Sequence, residues 1–337
     1  MNVRENISIQ PYHTLGTKVI TRYFTELTNE EDLLPFVSAL SKDHKPMLIM
    51  GVGSNILFTK DFPGTVIRMN NKGIIVINET PDHVTIRVAA GEVWDDVVQF
   101  CVDQGWGGIE NLSLIPGKMG AAPIQNIGAY GVELRDVLCD VEAVHLERLE
   151  KRTFVREECQ FGYRESIFKN ILRGQYLILN VTLRLSRNPE LKLDYGSIRN
   201  ELSALGINSP TIKDVREVVS RIRRRKLPDP VELGNAGSFF KNPVIRVDQF
   251  KKLKQDYPEI VSYPDPNGVK LAAAWLIETC NWKGKRKGDA GVHPAHPLVL
   301  VNYGKATGRE ILDLASLIRQ SVISRFGILL EPEVNIL

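Results

Sequence analysis

The sequence predicts a mixed α and β protein of two or three domains, and three observations lead there. At 337 residues the chain is longer than one compact core usually carries. Its first half runs as short β-branched segments between turn residues, the pattern of strands rather than helices. Further on, a segment of helical period ends in a basic run. KLPDP (226–230) follows, breaks the chain and marks the main boundary.

In chain order, PMLIMG (46–51), GTVIRMN (64–70), GIIVINE (73–79) and HVTIRVAAG (83–91) read as strands bounded by Gly, Pro or Asn. In GEVWDDVVQFCVDQGW the period changes. Val93, Val97 and Cys101, with Trp94 and Val98, recur at helical spacing, and Gly105 ends the run. The Gly- and Pro-rich stretch from Gly105 to Gly131 is too long for an idle connection and is expected to wrap around something. Strands return at VLCDVEAVHLE and YLILNVTLRL, and IKDVREVVSRIRRRK (212–226) reads as a helix. Beyond the break come a helix at KLAAAWLIETCN (270–281), a strand at HPLVLVNY and a long helix from Gly308 to Phe326. Thr307 and Glu310 form a capping box for it, Gly327 closes it, and Ile311, Leu314, Ile318, Val322 and Arg325 fall on one stripe. GNAGSFFKNP (234–243) follows neither period. Its glycines bare the backbone, and Phe239 and Phe240 can wall off water around Ser238, Lys241 and Asn242.

Composition narrows the function. The chain is 43% hydrophobic and 25% charged, as soluble globular proteins are. A net charge of +3 fits a small anionic substrate better than wholesale binding of nucleic acid. Cys101, Cys139, Cys159 and Cys280 show no CxxC spacing, which argues against zinc or a dithiol motif and for reduced, buried thiols. The N-terminus lacks the apolar core of a signal peptide, and no apolar run approaches the ~20 residues that span a bilayer. A cytoplasmic, monomeric enzyme without membrane or nucleic-acid partners is expected. The histidines of VHPAHP (292–297) lie among prolines with no third ligand nearby, so no metal is expected. The basic runs RRRK (223–226) and KGKRKG (283–288) lack interleaved aromatics and fit a diphosphate contact or a solvated face.

Several segments can carry chemistry. GVGSN (51–55) follows a strand and can cradle a phosphate through its N–H groups, although a tight turn explains it as well. IPGKMGAAPIQNIGAYG (115–131) keeps side chains small around the amides Gln125 and Asn126, so its backbone can approach a large flat cofactor. In FGYRES (161–166), Arg164 is either a fork for a carboxylate or one partner of a surface ion pair. LEPEV (330–334) offers Glu331 and Glu333, which at a chain end can equally be solvated.

These segments in this order, spanning nearly the entire chain, resemble the UDP-N-acetylenolpyruvoylglucosamine reductase family. QNIGAYG, GNAGSFFKNP and SYPDPNG resemble its type I branch. The resemblance implies an α+β fold: a two-subdomain FAD-binding fold of the vanillyl-alcohol-oxidase (PCMH) type plus a C-terminal α+β substrate-binding domain. The segments would be 1–72, to which the C-terminal strand 329–337 can return, then 73–225, then 226–328. It implies FAD as cofactor, NADPH as co-substrate, and reduction of UDP-N-acetylglucosamine enolpyruvate to UDP-N-acetylmuramate for peptidoglycan. By matching motifs, Arg164 would bind the substrate carboxylate, Glu333 would stand beside it, and Ser238 would donate the proton. Gly51, Gly53, Ser54 and Asn55 would hold the FAD pyrophosphate, and Gly117, Gln125, Asn126, Gly128 and Tyr130 would line the flavin. Tyr195, Lys226, Asn242, Tyr263, Lys283 and His296 would bind the sugar nucleotide. Departures from the family pattern are Val52 for a glycine, GKM (117–119) for smaller residues, and His296 for a glutamine.

Two rivals make different predictions. Another FAD-dependent oxidoreductase of the same fold explains the FAD loops but not GNAGSFFKNP with FGYRES and LEPEV. A sugar-nucleotide-binding module without catalysis would be colourless, with binding that weakens steeply in salt.

Overall fold

The β-branched segments of the first half assemble into two sheets. In the computed structural model, which describes residues 2–39 and 44–337, the first sheet has the order Arg4–Ser8, Ile20–Leu27, Phe62–Met69, Met47–Met50. Its last two strands run parallel, in register from Met47↔Thr65 to Met50↔Arg68. The second sheet is antiparallel, in the order Lys151–Val155, Leu138–His145, Tyr176–Ser186, His83–Ala89, Ile74–Glu79. Val84, Ile86 and Val88 alternate along their strand and are fully buried, the period-2 signature of a strand with one face on a core. That core is shared by the helix Trp94–Asp103, which buries Trp94, Val97, Val98, Cys101 and Val102 and hands over at Gly105 (φ +78°).

The helix Ile212–Lys226 has the bounds its sequence period predicts. It packs on Ile198–Ala204 through Val215, Val218, Val219 and Ile222, forming a small separate core. Arg216 fastens it to the Trp94–Asp103 helix by a bidentate pair with Asp95, at 2.8 and 3.0 Å. Asp95 also accepts from the N–H of Leu114 at 2.6 Å. Burial favours the protonated form of Asp95, but Arg216 and the Leu114 N–H outweigh it and hold its carboxyl below the usual range.

The C-terminal third builds a four-stranded sheet ordered Gly234–Ser238, Val299–Asn302, Ala290–Val292, Arg286–Lys287. A three-stranded sheet follows, Val244–Ile245, Gly268–Leu271, Ser262–Asp265, with the helices Val247–Asp256, Ala273–Thr279 and Gly308–Phe326. The last helix carries both signals expected of it. Thr307 and Glu310 close a reciprocal capping box, and Gly327 ends it at φ +66°.

Three expectations are corrected here. Arg325 is exposed, and it is Phe326 that completes the buried stripe, because the apolar face drifts by one residue over the last turn. The helix expected over 270–281 begins at Ala273, since Lys270 and Leu271 belong to a strand paired through Val244↔Lys270. GNAGS, assigned to neither period, is a bulged strand.

Chain contacts divide the protein into two units: Met1–Ile7, Thr21–Val52 and Pro63–Arg223 in one, and Ser8–Ile20, Gly53–Phe62 and Arg224–Leu337 in the other. The break at 223/224 lies beside KLPDP. Residues 8–20 and 53–62, from the first of the three expected segments, group with the C-terminal unit. The C-terminal strand Asn335–Ile336 pairs parallel with Ile56–Leu57 inside that unit.

Gly308 offers a test of packing in the second unit. A Cβ there would stand 1.6 Å from the carbonyl oxygen of Phe58, a backbone atom that cannot swing away. Gly308→Ala is therefore expected to destabilise this unit by about 1–3 kcal/mol or more despite alanine's better helix propensity, read as a lower urea midpoint.

Candidate active site

Arg164 is presented by a tight turn. Gly162 and Glu165 exchange backbone hydrogen bonds at 3.0 and 3.3 Å, leaving Tyr163 and Arg164 at the tip. Arg164 sits there at φ +58°, a conformation costly for a side-chain-bearing residue and typical of functional positions. Its carbonyl accepts from Lys169 Nζ at 3.0 Å. Its guanidinium donates to the carbonyls of Asn126 (3.4 Å) and Gly128 (2.5 Å) and lies 5.4 Å from the Tyr163 ring. Two candidate segments, FGYRES and QNIGAYG, are thus joined through one arginine.

The Gly-rich loop folds as a series of short turns, Glu110–Leu112, Met119–Ala121 and Pro123–Gln125, ending in Gly128–Ala129. Asn126 is fully buried at φ +44°. Its amide donates to Glu133 and to the Gly162 carbonyl and accepts from the Arg135 N–H. That side chain is taken up within the loop, so it shapes the loop from inside. The glycines also serve packing: a Cβ on Gly120 would meet Ala90 at 2.6 Å, and one on Gly128 would meet Glu133 at 2.8 Å and Arg164 Nη1 at 3.0 Å.

Arg223 belongs to the basic run RRRK, which fits a diphosphate contact or a solvated face. Its guanidinium lies close enough to the Tyr130 hydroxyl for the two to influence each other's charge. Burial and the like charge of Arg164 oppose its charged form, while Tyr130 and Asp95 favour it. Its Nε and the Oδ1 of Asn111 are buried and without partners. Asn111 Nδ2 is engaged by the carbonyls of Tyr130 and Lys192, at 2.9 and 2.8 Å. Tyr195 is exposed and packs its ring over Gly131.

In the second unit, Ser238 ends the strand Gly234–Ser238 beside Val299, after a bulge at Gly237 (φ +69°) whose N–H bonds Asn235 Oδ1 at 2.9 Å. Phe239 and Phe240 are each 1% exposed and pack edge to face. The C-terminal segment docks alongside. Glu333 N donates to Phe239 O at 2.8 Å, Lys241 N donates to Glu331 O at 2.9 Å, and Phe240 bridges Pro332. Asn55 of GVGSN donates to the Glu333 carbonyl at 3.3 Å, and its own carbonyl accepts from Asn335 N at 3.0 Å. Phe239 beside Ser238, Glu333 and Asn55, far apart in sequence, are thus linked through one backbone frame.

The segment that steadies the frame carries no sequence motif. Thr14 donates through N and Oγ1 to Gly53 O, and Oγ1 also bonds Asn235 O at 2.6 Å. A Cβ on Gly53 would lie 2.5 Å from that of His13. His13 is buried, which pushes its pKa down, and its ring bonds the Thr17 carbonyl.

The expected sugar-nucleotide contacts are spread more widely. Asn242 Oδ1 accepts from Ala273 N at 3.0 Å, capping a helix. Lys226 is exposed at its helix end, and Tyr263 is exposed on its strand. Lys283 is paired with Glu278 at 2.7 Å on the surface. His296 keeps a buried, unpartnered Nδ1, and burial, His293 and Lys226 all favour its neutral form. His293 Nδ1 accepts from the N–H groups of Ala295 and His296. All four cysteines are free. Cys101 and Cys159 are buried, with thiols pushed up to about 12 by desolvation, while Cys139 and Cys280 are only half-buried. Among the described residues no helix is long and apolar enough to cross a membrane.

A flavin dinucleotide fits these residues. Among the described residues the N–H groups of Val52 and Gly53, just past a parallel strand, find no protein acceptor. Arg223 Nε and Asn111 Oδ1 are buried and unpartnered beside the Gly-rich loop.

Fold and site define a two-part FAD-binding protein. A sequence family described as FAD binding domain matches residues 21–147, and the C-terminal domain of UDP-N-acetylenolpyruvoylglucosamine reductase matches residues 229–337. The UDP-N-acetylenolpyruvoylglucosamine reductase of Pseudomonas aeruginosa is 46% identical over 337 residues, covering 100% of this chain and 99% of that protein. The Chromobacterium violaceum enzyme of the same name is also 46% identical, over 339 residues with the same coverage. A solved UDP-N-acetylenolpyruvylglucosamine reductase from Thermus caldophilus shares the fold, with a TM-score of 0.71 over 100% of this chain and 99% of that one, at 24% identity. The chain belongs to the UDP-N-acetylenolpyruvoylglucosamine reductase family.

Proposed function

We propose that this chain reduces UDP-N-acetylglucosamine enolpyruvate to UDP-N-acetylmuramate, with NADPH as reductant and with Arg164, Ser238 and Glu333 as its catalytic residues. The observation that carries the assignment of residues is the frame in which Glu333 N bonds Phe239 O and Asn55 Nδ2 bonds Glu333 O. It ties the backbone of Glu333 to Phe239, the neighbour of Ser238, and to Asn55, which supports reading Ser238 and Glu333 as parts of one site. FAD, held by these loops, would supply the hydride-transfer chemistry that links NADPH to the enol ether.

Hydride addition leaves negative charge on the adjacent carbon, spread into the substrate carboxylate. Arg164 receives that carboxylate, and its fixed charge stabilises the developing anion. The Ser238 hydroxyl hands its proton to the carbanion, a base strong enough to deprotonate an alcohol, and recovers a proton from solvent. Phe239 and Phe240 limit competing water around it. Glu333 stands beside the carboxylate and, when it carries a proton of its own, shares it with the carboxylate and so supports the enol-like form. Gly51, Gly53, Ser54 and Asn55 hold the pyrophosphate, while Gly117, Gln125, Gly128 and Tyr130 line the flavin, with Asn126 setting the loop. Arg223 joins them as a cation facing the loop's ligand. Tyr195, Lys226, Asn242, Tyr263 and His296 take the sugar nucleotide; Lys283 does so only after leaving Glu278.

The purified chain is expected to be yellow. Mixed anaerobically after reduction with the enolpyruvyl sugar nucleotide, it should recover the oxidised flavin spectrum. A colourless protein, or a reduced flavin that this substrate leaves unchanged, would exclude the reading.

A further inference from the structure

We propose that Lys118 is a further cofactor-binding residue, its ammonium supplying the diphosphate-binding end of the parallel strands with a positive charge that, among the described residues, pairs with no carboxylate. The inference rests on the flavoenzyme reading above. Met47–Met50 and Phe62–Met69 run parallel, so their carboxyl ends lie side by side, the place where parallel strands present ligand loops. GVGSN leaves the first of these ends at Gly51. Lys118 crosses both: a Cβ on Gly51 would stand 3.1 Å from its Cβ and 3.2 Å from its Cγ. Its Nζ donates to Met69 O at 2.7 Å and Asn70 Oδ1 at 2.9 Å. An ammonium has three N–H groups, and among the described residues the third has no protein acceptor.

Lys118 is only 3% exposed. A cation so enclosed ordinarily has a counter-ion. The two nearby carboxylates are committed elsewhere: Glu26 pairs with Arg4 and Arg68, and Glu92 pairs with Lys72 and accepts from Gly73 N. The missing partner is an anion, and the loop beginning at Gly51 is the one read as holding a diphosphate. The lysine also stands where the family pattern has small residues, so the charge is a property of this chain rather than of the motif.

The groups facing Nζ are Glu26 on Ile20–Leu27, Arg68 and Lys72 at the end of Phe62–Met69, and Glu92 ahead of Trp94–Asp103. Burial, then Arg68 and Lys72, bring the lysine down to about 8, against the opposing pull of Glu26 and Glu92. Its charge is complete below that value and is lost as pH rises through it. A bound diphosphate raises the lysine's pKa, so affinity declines from about pH 8 upward.

The test uses the full chain stripped of flavin and titrated with FAD, read by fluorescence quenching, between roughly pH 6.5 and 9.5. Wild-type affinity is expected to fall across this range, and Lys118→Met should bind about ten- to a hundredfold more weakly at the low end, with little pH dependence. Lys118→Arg, which keeps its charge, should bind without the decline. Wild-type affinity flat across pH 8 overturns the proposal even if the methionine variant does not fold. So does a methionine variant that matches wild type, or one that is weaker yet keeps the wild-type pH profile, since the lysine would then only hold the loop. A wild-type chain that takes up no FAD at any pH overturns the flavoenzyme reading itself, and this inference with it.

Discussion

Ser238→Ala is expected to slow reoxidation of the reduced flavin by the enolpyruvyl substrate about 10²–10⁴-fold, the usual weight of a positioned proton donor. Reduction by NADPH should stay within a few-fold of wild type. The separation follows from where the serine stands. Its strand pairs with Val299, and the neighbouring Phe239 holds Leu298 O and Glu333 N, all through backbone atoms that alanine retains. Removing one oxygen therefore leaves the frame and both buried rings in place while removing the only group assigned to quench the carbanion. Stopped-flow absorbance of each half-reaction separates the two steps. If both slow together, the hydroxyl is part of the scaffold and the proton comes from elsewhere.

Much of this molecule can be read before any coordinates, and the parts that cannot share a cause. The helix Ile212–Lys226, the strands of the first half and the Thr307–Glu310 cap are local features, fixed by period and by hydrogen bonds a few residues apart. GNAGS was not recognised as a strand because its bulge and its pairing with Val299 depend on residues some sixty positions away. Arg223 belongs to a basic run that fits a diphosphate contact or a solvated face, and nothing near it in sequence announces Tyr130 as its neighbour. Thr14, which ties Gly53 to Asn235, sits in a stretch with no motif at all. Lys118 did leave a trace, as the one charged side chain in residues 115–131, but only the paired state of Glu26 and Glu92 shows that its charge lacks a carboxylate partner among the described residues. Asn126 adds a role the residue type does not announce: its amide binds Glu133, Gly162 O and Arg135 N and so holds the loop that is read as lining the flavin.

Arg164→Lys separates two uses of one side chain. The guanidinium reaches the carbonyls of Asn126 and Gly128 and so holds the flavin loop, while the proposed mechanism asks it also to bind a carboxylate. A lysine keeps the charge but has no planar fork, so it cannot span two carbonyls and meet a carboxylate in one geometry. Hydrogen bonds to a charged group contribute about 1.5–3 kcal/mol, so kcat/KM for the enolpyruvyl substrate is expected to fall about ten- to a hundredfold or somewhat more. If the carboxylate is the main client, the variant should retain FAD, and its reduction by NADPH should change little. Loss of FAD from the purified variant would mean instead that Arg164 is first a staple of the loop. The strained turn at φ +58° would then serve cofactor binding rather than substrate recognition. Gly128→Ala provides the complementary perturbation. Its Cβ would push on Arg164 Nη1 without altering the charge, so a variant that keeps FAD but loses turnover to the same extent as Arg164→Lys would place the sensitivity in the direction of the fork rather than in the charge itself.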